Sequence, residues 1–525
     1  MGEVTISRRS LLLAGAGAVA GAALRPVASL AAGAGEGVGT IELGAVGSRS
    51  LPIPLPPGVG VVGLERADGP LDAAPMLRVR LHDRAWGPWT RAAAQGHGPE
   101  AAPAIARGEP LWVGGAREVE VRSAAPMSRV RLRYVMAGLG QGEARAAAAG
   151  ALPLAQPVLT AGAGQPPIIA RSAWARGTQL PRVAPAYGQV ELGFVHHTEN
   201  PNGYGPGDVP AMLRSIFVFH RDVNGWNDIG YNFVVDLFGR VWEARAGGID
   251  EPVVGAHAGG YNLYSTGVAV LGSFMSTPIS AAARRTLQRL LAWKLALHGT
   301  PAQGKVVVRV NPAGASYSKY PARARVTLPR IAGHRDADST DCPGDALYAE
   351  LPGVRHAVAG LSGQPVVATA TLQAAVPSTP APATGTRSAE PAPTPAPATG
   401  TTPASAPATG TPSAETTPTP VPDVLVALNS PMGSPLPGLH VTLQARTVAR
   451  RGEVVTRTTV AEGTTDAEGH CRLPATFAQG APKPLWVRAL YPGGQGLGAA
   501  VSRAVKVEPL PAAVTPSPPA TAPIG

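Results

Sequence analysis

Two cysteines in 525 residues exclude a fold built on disulfides. Lysine is nearly as scarce, with five residues, so the positive charge on this chain of net charge +11 is almost all arginine. Aromatics make up only 5% of the residues, and no Lys/Arg run is interleaved with them. Nucleic acid is therefore not expected as a partner. No stretch after residue 32 is long and apolar enough to span a membrane. Glycine and proline are in excess, at 64 and 56 residues, too many for one compact fold. Several domains with connectors are expected at this length.

The compartment is read from the first residues. "ISRRSLLLAGAGAVAGAAL" places Arg8 and Arg9 before an apolar run too short and too rich in Ala and Gly for a stable span. Small-residue sites near 28–34 offer a cut, and Arg25 follows the run. Residues 1–32 are thus expected to be a twin-arginine-type export signal. The mature chain is expected outside the cytoplasm (extracellular, periplasmic or wall-associated), without a transmembrane segment. Its basic charge favours association with an anionic cell envelope.

Composition divides the remainder. Residues 40–136 carry alternating stretches such as "LRVRL" (77–81), "EVEVR" (118–122) and "RVRLRYV" (129–135), which predict an N-terminal β domain. Trp86 and Trp89 are expected to pack rather than to offer a sugar platform. Residues 137–167 read as a linker. Residues 168–362 mix buried strands, as in "VELGFVHHT" and "TGVAVLGSF", with amphipathic helices over 208–226, where Asp208 is the expected N-cap, and 280–299. "GKVVVRV" (304–310) and "RARVTLP" (323–329) predict a β excursion. Residues 363–422, with three copies of "APATG", cannot bury a core and read as a tether. Residues 423–508 return to strand character and predict a C-terminal β-sandwich, Ig-like or prealbumin-like. A Pro-rich tail follows from 509. The expected fold is thus multidomain, with a central α/β domain between two β domains.

The chemistry gathers in that central segment. "GHRDADSTDCPG" (333–344) holds His334 and Cys342 in one loop. Imidazole and thiolate together suit zinc, but the pair needs a third ligand. "HHT" supplies two histidines on adjacent strand positions, which point to opposite faces. One of His196 and His197 can ligate while the other packs, and spacing leaves open which. Two imidazoles and a thiolate would leave a fourth position open, the mark of a catalytic zinc site. Asp336, Asp338 and Asp341 read as solvated or orienting loop residues, and His220 as structural. No His-Glu-x-x-His segment is present, which argues against the common zinc peptidase arrangement.

Residues 168–362 resemble the peptidoglycan recognition protein family, the zinc amidases related to the short phage amidase-type lysozyme. The resemblance rests on an ordered set: "IIARSAWA" (168–175), "FVHHTEN" (194–200), "FHRDVNGWNDIGYNFVVDLFGRVWEAR" (219–245), "GAHAGGYN" (255–262), "STGVAVLGSF" (265–274) and "GHRDADSTDCPG" (333–344). It implies a mixed β-sheet flanked by helices, with one Zn2+ ion at the end of a substrate groove. The implied ligands are His196, His334 and Cys342. The implied catalytic residues are Tyr231 and Thr340, and His257, which corresponds to a groove histidine that contacts substrate, and Asn262 in the same segment are implied substrate-binding residues. Gly225, Trp226 and Arg245 fall where readers of diaminopimelate stem peptides carry such residues. The implied activity is N-acetylmuramoyl-L-alanine amidase on peptidoglycan. The alternative is a peptidoglycan-binding protein without catalysis; such members lack the cysteine that this chain keeps.

Overall fold

The computed structural model describes residues 37–136, 158–159, 164–362, 371–375 and 423–508, with short gaps inside the first and last ranges. The expected export signal, the Pro-rich tail, and most of the two tracts read as linkers lie outside the described residues.

The central domain is built on a seven-stranded mixed sheet. Its order is Val158–Leu159, Ile168–Ile169, Val241–Glu243, Phe233–Val235, Ser265–Val270, Leu192–His197 and Ile331–Gly333. The last three strands run parallel, with Leu192–His197 between its two partners. A strand so enclosed is buried on both faces, which explains its unbroken apolar run. Successive residues face opposite ways. Val268 and Val270 join the core under the helices Ala281–Leu297 and Asp345–Ser362, while Ala269 and Leu271 join the core under Val209–Val218. The excursion is a hairpin of Lys305–Arg309 and Arg325–Pro329, which packs over Leu192, Phe194 and Ala332.

Three details depart from the sequence reading. Strands Val158–Leu159 and Thr371–Ala375 fall inside the tracts read as linkers. Each is a short piece beside a low-complexity run, with no periodicity of its own, and acquires strand geometry by pairing with Ile168–Ile169 and Asp423–Asn429 respectively. Asp208 takes the expected N-cap position, but its side chain makes no capping bond; its Oδ2 accepts the Gly205 N–H at 2.7 Å instead. The helix that follows ends in a π-helical turn, Phe219–Val223.

The N-terminal domain has a five-stranded and a four-stranded sheet around one apolar core. Trp86 and Trp89 stack with the guanidinium groups of Arg78, Arg80 and Arg122 on its surface. The C-terminal domain likewise has two sheets sharing one core. Both flanking domains are docked on the central one. Val61 and Val135 of the N-terminal domain are fully buried in the core that includes Phe217 and Phe219. On the other side, Arg457 and Arg488 reach Asp250 at 2.7 and 2.5 Å. Burial alone would raise Asp250, but the two arginines outweigh it and hold the carboxyl at about 2. Among the described residues no helix is long and apolar enough to cross a membrane.

Candidate metal centre

In open α/β sheets, ligands gather beyond the carboxyl ends of parallel strands. His196 and His197 end the strand Leu192–His197, and His334 follows directly on its neighbour Ile331–Gly333. The alternation of the strand separates the two histidines. His196 shares a face with Phe194 and meets His334, its ring centroid 4.5 Å away. His197 points the other way: Nδ1 accepts the Phe274 N–H at 3.3 Å, and Nε2 lies 2.9 Å from Glu199 Oε1.

Cys342 is brought to His196 by a tight loop. The Cys342–Pro343 peptide is cis, and Gly344 adopts φ +87° against the Phe274 carbonyl, where a Cβ would clash. Cys342 Sγ lies 3.7 Å from His196 Nδ1 and accepts the His197 N–H at 3.4 Å. The donor atoms of His196, His334 and Cys342 all lie within 4.8 Å of one another, and all three residues are buried. Two donors on one tetrahedral zinc, with zinc–nitrogen about 2.0–2.1 Å and zinc–sulfur about 2.3 Å, stand about 3.6 Å apart. The trio therefore fits such an ion in spacing as well as in donor chemistry. Burial pushes the Cys342 thiol well above its usual range, against the His197 N–H that draws it down. A cation at the trio would displace that proton, so metal uptake must release it.

Each imidazole is held from behind. His334 Nε2 lies 3.0 Å from Asp338 Oδ2, which also accepts the Gly259 N–H at 2.7 Å. Nδ1 is then the nitrogen His334 offers a metal. His196 Nε2 lies 3.1 Å from His257 Nδ1, which likewise directs His196 Nδ1 toward Cys342. The His257 ring rests on Gly267, where any Cβ would meet it. Asp338 is thus an orienting residue at the centre of the site, and its four-residue spacing from His334 in one loop was the available signal.

Tyr231 lies beside the trio, its ring 5.5 Å from that of His196. Burial pushes its hydroxyl well above the usual range, helped by the charges of Glu109, Cys342 and Glu199. It is an O–H donor throughout the working pH range. Thr340 Oγ1 accepts the Cys342 N–H at 3.2 Å and so caps the loop of which it is part. Asn262 Oδ1 accepts the His257 and Ala258 N–H groups, so its side chain shapes the His257 loop. Trp226 is buried and stacked on His220, whose Nδ1 accepts the Gly230 N–H next to Tyr231. Arg245 is also buried, with Nη1 donating to the Ile229 carbonyl at 2.8 Å, and burial draws its pKa down. The structure brings together His196, His334, Cys342, His257 and Tyr231, with Thr340 at the rim. Trp226 and Arg245 sit in the packed layer behind Tyr231.

A family model for N-acetylmuramoyl-L-alanine amidase matches residues 186–345, and one for a galactose-binding domain-like fold matches residues 57–151. A human N-acetylmuramoyl-L-alanine amidase is 33% identical over 211 residues, covering 38% of this chain but only 31% of the human one. Peptidoglycan-recognition protein SC2 of Drosophila melanogaster is 28% identical over 184 residues, covering 35% of this chain and 84% of the fly protein. The solved structure of wild-type Drosophila PGRP-LB matches at 27% identity and a TM-score of 0.27, covering 35% of this chain and 91% of that one. The central domain of this chain belongs to the peptidoglycan recognition protein and type 2 N-acetylmuramoyl-L-alanine amidase family.

Proposed function

We propose that the chain is a zinc-dependent N-acetylmuramoyl-L-alanine amidase. The bond cut is the amide between the lactyl group of N-acetylmuramic acid and the L-alanine of the peptidoglycan stem peptide. The observation that carries the reading is the buried convergence of two imidazoles and one thiol on the end of an amidase-family sheet. His196, His334 and Cys342 would hold the ion, as three protein ligands do in catalytic zinc sites. When bound there, zinc supplies Lewis acidity toward water and the scissile carbonyl.

The protein's own groups do the rest. Tyr231 stays protonated and donates its O–H to the oxygen that attacks or to the oxyanion that forms. Thr340, whose oxygen accepts from the Cys342 N–H, keeps its own hydrogen to donate to the developing oxyanion. His257 and Asp338 fix the tautomers of the two ligating imidazoles. His257 itself is fully buried, on a loop that Asn262 holds in shape. A preference for diaminopimelate would need its extra carboxylate to reach Arg245 beneath the surface, behind Trp226.

The export signal expected from the first residues and the basic charge support a working place at the cell wall. There the C-terminal sandwich would position the enzyme. Cys342→Ser tests the metal assignment: loss of zinc together with loss of muropeptide cleavage is expected. Retention of stoichiometric zinc with full turnover would overturn it.

A further inference from the structure

No Asp or Glu stands between Glu251 and Asp336, whereas eleven Lys and Arg do. Four of the eleven are engaged within the central domain. Arg284 pairs with Glu350 and Arg335 with Asp345. Lys294 donates to the Ile249 and Glu251 carbonyls, and Arg330 to the Glu191 carbonyl. Arg285 and Arg289 are exposed on the helix Ala281–Leu297. The other five, Lys305, Arg309, Lys319, Arg323 and Arg325, lie on the β excursion, and all are exposed. Among the described residues no carboxylate pairs with any of these five.

The strand period explains how the hairpin carries them. Val306, Val308, Val326 and Leu328 turn inward onto Leu192 and Phe194, and Lys305, Val307, Arg309, Arg325 and Thr327 turn outward. Leu192, Phe194 and His196 share one face of their strand, so the hairpin lies on the metal trio's side of the sheet. Arg309 stands directly opposite Arg325, and its Nε donates to the Arg323 carbonyl at 3.1 Å. Like charges at opposed positions weaken a strand pair, and no described carboxylate offsets the repulsion here. The connection between the strands runs beside the ligand loop. The Lys319 N–H donates to the Ala337 carbonyl at 2.9 Å, and the Ser339 N–H to the Tyr317 carbonyl at 3.1 Å.

We infer that the outer face of this hairpin is a binding surface for a phosphodiester polymer of the wall, held on the metal centre's side of the domain. Repeated phosphates turn the Arg309–Arg325 repulsion into a shared attraction, and the planar fork of arginine matches phosphate oxygens in pairs. Residues on one face of a strand recur about every 6.8 Å, so an extended chain laid along the hairpin meets both Lys305 and Arg309. A bilayer fits less well, because Val307 and Tyr320 are the large apolar side chains exposed there among the described residues, too few to insert. Nucleic acid also fits less well, since Tyr320 is the one exposed ring there on which a base can stack. The amidase reading enters only by placing the polymer on the wall that this chain works on.

The test uses the full chain and a short, fluorescently labelled poly(glycerol phosphate), with binding read by anisotropy across a salt series. Engagement of four cations gives a log–log salt slope of about −3, the scale for flexible single chains. Arg309→Gln with Arg325→Gln should weaken binding at least about tenfold and halve that slope. Arg285→Gln with Arg289→Gln removes the same charge from the helix on the sheet's other side, and should change affinity less than about twofold. Neither pair should lower the melting temperature, because the hairpin pair only relieves a repulsion. Equal losses from the two pairs would overturn the inference, because net charge alone would then bind. So would absence of binding by the wild type. Tighter hairpin-dependent binding to phosphatidylglycerol vesicles, or to a thymidine oligonucleotide of equal charge, would overturn it too. If the wild type binds the polymer through the hairpin and leaves muropeptides uncut while holding zinc, the amidase reading fails and the hairpin assignment stands.

Discussion

Asp338→Asn removes one charge from the centre of the site and little else. In the wild type, Asp338 Oδ2 accepts from His334 Nε2 at 3.0 Å and from the Gly259 N–H at 2.7 Å, with the carboxylate fully buried. The asparagine oxygen can keep both bonds, so the loop should fold. What is lost is the negative charge that makes His334 a stronger donor and fixes its tautomer. Losses of such partners behind a ligand typically weaken metal binding 10–100-fold, or about 1.4–2.7 kcal/mol. The upper half of that range is expected here, because the pair is shielded from water. Zinc affinity is to be read by competition with a chromophoric chelator, with circular dichroism confirming the fold. Asp338→Ala should do more, since it also strands the Gly259 N–H at a cost of about 1–3 kcal/mol in stability. If Asp338→Asn binds zinc within about twofold of wild type while folded, the orienting role is wrong.

Other outcomes follow from the same geometry. Tyr231→Phe should bind zinc normally and lose about 100-fold in kcat, measured on purified muropeptide, as expected for one oxyanion donor. Lys294 lies buried on the helix Ala281–Leu297, and burial draws its pKa from 10.5 down to about 7, against the pull of Asp250 and Glu251. The unfolded state therefore binds the extra proton between about pH 7 and 10.5, and stability must rise with pH over that window. From pH 7.5 to 9.5 the gain from this group is about 2–3 kcal/mol in urea denaturation, and Lys294→Met should abolish it. Arg488→Met leaves Asp250 and Glu251 underpaired at the C-terminal interface and should destabilise that junction by about 3 kcal/mol, seen as faster limited proteolysis between the domains. Zinc affinity should fall about tenfold per proton released for each pH unit below neutrality, because the buried Cys342 thiol must ionise to bind.

Much of this was legible in the chain. The pairing of His334 with Cys342 in one loop, and the buried run ending in His196 and His197, are local patterns with a direct physical meaning. The strand's alternation required that only one of the two histidines ligate, but register alone decides which. That register is set by pairing with Ser265–Val270 and Ile331–Gly333, far along the chain. The commitment of Asn262 to its own loop was not legible, because it depends on backbone groups that fold around it. Least legible was the docking of the N-terminal domain. Arg91, Gly98 and Trp112 carry no motif, and reach the site's loops only because an apolar patch on one domain's sheet matches the helix Val209–Val218 of another. Short edge strands such as Thr371–Ala375 were missed for a related reason: their conformation comes from the partner strand.

On the proposed function, His196, His334 and Cys342 hold a zinc ion that works on the lactyl–L-alanine bond. Mass spectrometry of muropeptides incubated with the full chain, with and without a chelator, addresses it most directly. Release of intact stem peptide and free disaccharide, abolished by chelator and restored by added zinc, is the expected result. Muropeptides recovered uncut by the zinc-loaded chain, or cut equally well with chelator present, would contradict it.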